Sequence, residues 1–78
     1  MDKEQQQHYI CIIKYQLMNK LGFKPFEKDI NILFYDNKKN ILHFTINNII
    51  YKLQRQTWCN SNANYNLYIS KNNKYIEL

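Results

Sequence analysis

Leu17-Met18-Asn19-Lys20-Leu21-Gly22-Phe23-Lys24-Pro25 divides the chain into two kinds of structure, because it holds the only glycine and the only proline of 78 residues. Gly22 can adopt the left-handed backbone that ends a helix, and Pro25 prevents the helix from resuming. Upstream, Ile10, Ile13, Leu17 and Leu21 recur at steps of three and four, which stacks them on one helical face. Gln7, Lys14 and Gln16 fall outside that stripe. Asp2 is placed to cap the first turn, Glu4 to complement the positive end of the helix dipole and Lys20 the negative end. The spacing predicts a helix over 4–21, with Phe23 folding back onto its last turn.

Downstream the period changes from 3.6 to 2. Asp29 to Tyr35 alternates Ile30, Ile32 and Phe34 with Asn31, Leu33 and Tyr35, as a strand with two unlike faces does. A polar connection, Asp36 to Asn40, leads to a second strand over 41–46, whose Leu42, Phe44 and Ile46 are its inward set. Asn47-Asn48 is a tight turn, since asparagine tolerates positive φ better than other residues with a side chain. A third strand is expected over 49–58, with Ile49, Tyr51 and Leu53 toward the helix. Residues 59–64 have no periodicity and read as a loop. A fourth strand, with Tyr65, Leu67 and Ile69 inward, then a turn at residues 71–74 and a short last strand complete the chain. The expected architecture is one α+β domain over 1–78, with an N-terminal amphipathic helix packed on one face of a four- to five-stranded antiparallel meander.

Alternation leaves the opposite face with Asn31, Leu33, Tyr35, Ile41, His43, Thr45, Ile50, Lys52, Gln54, Gln56, Trp58 and Tyr68. A solvated sheet face should be polar. This one is interrupted by rings and aliphatic side chains, so it is a candidate docking surface. Tyr35, Ile50, Trp58 and Tyr68 are its expected anchors, joined by Ile12 and Tyr15 on a side flank of the helix. Truncating Trp58 to alanine distinguishes a core ring, whose loss unfolds the chain, from an anchor, whose loss abolishes binding alone.

Ten lysines and Arg55 against six acids give a net charge of +5. Lys38, Lys39, Lys52, Arg55, Lys71 and Lys74 are candidate phosphate contacts, and the same rings can stack on bases, so single-stranded nucleic-acid binding is the alternative reading. Twelve asparagines beside one alanine and one glycine are what A+T-rich codons specify, which weakens the charge as a functional signal.

The chemistry of catalysis is sparse. One glycine cannot build a phosphate-cradling loop. His8, His43, Cys11 and Cys59 fall at no metal-ligand spacing, and neither Ser61 nor Ser70 stands beside a histidine or an acid in sequence. No enzyme activity, metal or cofactor is expected. The first eight residues are polar, so no secretory leader is expected and the thiols are expected reduced in the cytoplasm.

The expected partner is a larger protein, acidic or nucleic-acid-associated, or a second copy of the chain, and not a membrane. Shortness, scarce glycine and A+T-rich composition are the style of small accessory proteins carried by phages and mobile elements, some of which inhibit a host protein. No residue position transfers from that likeness of style.

Overall fold

The computed structural model of the chain describes residues 2–55 and 65–78. Helix α1 (Lys3–Leu21) starts where Asp2, in extended conformation, accepts the Gln5 amide at 2.8 Å, satisfying a donor that the first turn leaves without an intrahelical partner. It ends at Gly22, whose amide makes the last helical bond to the Met18 carbonyl at 3.1 Å and whose φ of 77° then turns the chain out of the helix. Pro25 is buried in the connector, whereas Phe23 does not fold away and stays exposed. A short 3-10 turn (Glu27–Asp29) takes in Asp29, so the first strand starts one residue later than alternation predicted.

Five strands follow in an open antiparallel sheet with spatial order β1-β2-β3-β4-β5. They are β1 (Ile30–Asp36), β2 (Ile41–Ile46), β3 (Ile49–Arg55), β4 (Tyr65–Lys71) and β5 (Lys74–Glu77). Every neighbour in space is a neighbour in sequence, so each connection alternates from one end of the sheet to the other. No helix among the described residues is long and apolar enough to cross a membrane.

Asparagine does the work that glycine does in most hairpins. Asn47-Asn48 and Asn72-Asn73 are the two-residue connections, with φ between 51° and 67° at all four positions. Two successive left-handed residues give the turn whose twist matches that of paired strands. Between β1 and β2 the turn uses Asn40, also left-handed, and Asp36, whose carboxylate accepts the amides of Lys38 and Lys39.

The core lies between α1 and one face of the sheet. Ile10, Ile13 and Leu17 meet Ile30, Leu42, Phe44, Ile46, Tyr51, Leu53 and Leu67, and Phe44, Ile13, Leu17 and Leu67 are sealed completely. Phe44 and Tyr51 face each other across β2 and β3 with stacked rings 5.4 Å apart. Emptying a site such as Phe44 costs about 3 to 5 kcal/mol, as much as a chain of this size has in total.

One expectation about the sheet is overturned. Ile32 pairs with Phe44 and Phe34 with His43, so Leu33 is an extra residue in β1, a bulge. An inserted residue reverses the alternation beyond it. Tyr35 therefore pairs with Leu42 on the helix side, and Phe34 turns outward, 54% exposed. The exchange suits both side chains: the Tyr35 ring stacks on Tyr9 of α1 at 5.2 Å and its hydroxyl donates to Asn40 Oδ1 at 3.0 Å. Two smaller departures also stand. Ile41, expected outward, is buried, while Ile49, expected toward the helix, lies exposed beside the Asn47-Asn48 turn.

The asparagine turns carry a direct expectation. Asn48→Gly should raise the thermal midpoint or leave it unchanged, while Asn48→Ala should cost about 1 kcal/mol, because alanine gains nothing from the left-handed conformation it must hold. A thermal melt in which the alanine variant is the more stable of the two would contradict this turn geometry.

Candidate protein-interaction surface

The side of the sheet turned from α1 carries a row of residues, one from each strand in register: Phe34, His43, Lys52, Tyr68 and Glu77. Directly opposed residues of antiparallel strands point to the same side, so these five are lateral neighbours. Tyr75, opposite Ser70 on β5, lies on the same face one position along.

Contacts within the row are specific. The Phe34 and His43 rings stack with centroids 4.3 Å apart and planes 19° from parallel. Lys52 extends toward β5, its Nζ 4.9 Å from the Tyr68 centroid and 4.2 Å from that of Tyr75. Each ring offers the negative face of its quadrupole to the ammonium group, so two rings hold one cation. Tyr75 is 43% exposed and Ile50, opposite Thr45, is 42% exposed. The result is a largely apolar and aromatic surface with the cation of Lys52 near its centre and the carboxylate of Glu77 at its β5 edge.

His43 responds electrostatically to this setting. Partial burial, then the positive charge of Lys52, lower its pKa below the usual 6.5, while Asp36 acts in the opposite direction. The imidazole facing Phe34 is therefore neutral at neutral pH.

The residues expected at the surface divide into several groups. Lys52, Tyr68 and Ile50 stand on the outward face. Tyr35 does not: the Leu33 bulge turns it beneath the helix, and Phe34 takes the place assigned to it. Trp58 lies outside the described residues. Ile12 packs against the core from the helix flank, whereas Tyr15 is 66% exposed, so the two do not form one patch.

The six candidate phosphate contacts are dispersed. Lys38 and Lys39 sit in the β1–β2 turn, at the opposite end of the sheet from Lys71 and Lys74, which face each other across the β4–β5 hairpin. Arg55 pairs with Tyr65 and shares the parity of Leu53, which puts it on the helix side. There its charge works against the rise that burial produces in the pKa of Tyr35 and Tyr65. Only Lys52 of the six belongs to the ring-bearing row.

Two rings of this face, Phe34 and Tyr75, escaped the sequence pattern for different reasons. The Leu33-Phe34-Tyr35 run is apolar throughout, so alternation cannot reveal a phase change inside it. Tyr75 was within reach: a two-residue turn at Asn72-Asn73 puts it opposite Ser70, on the face of Tyr68.

Among the described residues no three His, Cys, Asp or Glu side chains approach closely enough to hold a metal ion. The chain matches no protein-family model, no curated protein and no solved structure.

The His43 pKa makes stability depend on pH with a definite sign. A histidine whose folded-state pKa is depressed adds stability that is complete above the unfolded value, declines as pH falls toward the folded value and changes no further below it. As pH falls through the unfolded value of about 6.5, the native protein should lose stability relative to His43→Gln. Parallel stability profiles for the two proteins would contradict the environment assigned to His43.

Proposed function

We propose that the chain is a non-enzymatic protein-interaction module that docks through the uncovered face of its sheet. The partner is a second copy or a larger protein whose action the module blocks or adjusts, in the cytoplasm. The observation that carries this reading is the outward row of Phe34, His43, Lys52, Tyr68 and Glu77, with Tyr75 and Ile50 beside it. Aromatic side chains supply much contact area for little lost rotamer entropy, and they dominate the energetic centres of interfaces. Lys52, already held between two rings, loses little further freedom on binding.

The arrangement favours protein over nucleic acid for two reasons. A single-strand platform needs ring faces free for bases and a basic track for phosphates. Here Phe34 stacks on His43, Lys52 lies over Tyr68 and Tyr75, and the remaining candidate cations stand at the ends of the sheet or on its other side.

Sedimentation over a range of concentrations, together with partner capture, tests the proposal on the native chain and on a Phe34→Ala, Tyr75→Ala double variant. Both rings are substantially exposed, so the variant should keep the native far-UV circular dichroism while self-association or partner binding weakens by about 30-fold or more. A native chain that stays monomeric and captures no partner contradicts the proposal. So does tight binding of a labelled single strand that weakens steeply with salt, which would favour the nucleic-acid reading.

A further inference from the structure

The apolar residues of α1 are not confined to its core-facing stripe. Cys11, Lys14, Tyr15 and Met18 recur at steps of three and four about 120° around the helix from Ile10, Ile13 and Leu17. Together with Lys24 they line a groove of about 390 Å³. Gly22 makes this possible, since its left-handed turn ends the helix and sends the chain back so that Lys24 joins residues of α1 along one groove. Tyr15 and Met18 are 66% and 55% exposed. Hydrophobic side chains that the fold itself leaves uncovered thus line a recess between two lysines.

The charged side chains that line this recess are both lysines. No acidic residue lines it. Its charge comes from Lys14 and Lys24, while the carboxylate of Glu27 accepts the Gln7 side-chain amide at 2.6 Å, one helical turn before Cys11. Concentrated positive charge beside apolar surface attracts a partner of opposite sign and disfavours basic ones.

We propose that this groove binds an acidic peptide segment of a partner protein, with one bulky apolar side chain seated between Tyr15 and Met18 and flanking carboxylates set against Lys14 and Lys24. The small apolar lining, with Lys14 and Lys24 beside it, suits a single anchor side chain of a peptide with carboxylates next to it. Met18 suits the role because a thioether on an unbranched stem adapts to anchors of different shape. The groove is separate from the outward sheet face and does not depend on it. With both surfaces in use, the chain can hold an acidic segment on its helix while its sheet engages a second body.

A randomised peptide library displayed for selection against the intact chain tests this, with Cys11 as reporter in a Cys59→Ser background. Recovered sequences should combine Asp or Glu with a Leu, Phe or Trp anchor. They should slow alkylation of Cys11, and this protection should fade with added salt. Lys14→Gln with Lys24→Gln should weaken the recovered peptides by about tenfold, and Tyr15→Ala should do so in a background of native circular dichroism. Variants of Phe34 and Tyr75 should leave the peptides bound, so failure of the groove and failure of the sheet face are read separately.

Recovery of no sequences, recovery of sequences without acidic residues, or peptides indifferent to Lys14, Lys24 and Tyr15 would each overturn the proposal. Protection of Cys11 by phosphatidylserine vesicles in place of the peptides would overturn it as well, in favour of a membrane surface.

Discussion

One helix lies against five strands, and the rest of the molecule follows from that inequality. A helix is about 10 Å across with its side chains, whereas five strands spaced about 4.8 Å apart extend over roughly 19 Å. The helix can seal the middle of one face and nothing on the other. Phe44, Leu53 and Leu67, on the three central strands, are accordingly almost fully buried, while Ile76 on edge strand β5 is 48% exposed although its partner Ile69 packs against the core. The reverse face has no cover within the described residues, and there the sequence still places rings and aliphatic side chains.

Two edge strands remain open in such a sheet, and each carries a feature that discourages further pairing. β1 has the Leu33 bulge, which distorts its ladder. β5 has only four residues and begins with a lysine. Short, charged or bulged edges are how open sheets avoid lateral growth. Association through the face is therefore more consistent with this construction than extension of the sheet from its margin.

Much of the fold was legible because local chemistry and global pattern agreed. Asp2, Gly22 and Pro25 bound the helix by capping and backbone restriction, and paired asparagines mark both tight hairpins of a chain with no glycine to spare. The phase of β1 beyond Ile32 was not legible. Leu33, Phe34 and Tyr35 are all apolar enough to face either way, and the outcome rests on tertiary partners: Tyr9 and Asn40 for Tyr35, His43 for Phe34. The candidate surface was readable to the same degree. Ile50, Lys52 and Tyr68 follow from strict alternation, whereas Phe34 depends on the bulge. Cys11, Lys14, Tyr15 and Met18 share a helix flank by their spacing, whereas Lys24 joins them only through the turn at Gly22.

A docking face exists on this sheet only if its rings point outward. Nuclear magnetic resonance of the chain alone, with a soluble paramagnetic agent, reads this directly. The Phe34 and Tyr75 rings should broaden strongly, while Tyr35 stays sheltered and shows cross-relaxation to Tyr9. A Tyr35 ring bleached by the agent beside a protected Phe34 would mean that β1 keeps unbroken alternation, and the outward row described here would not exist.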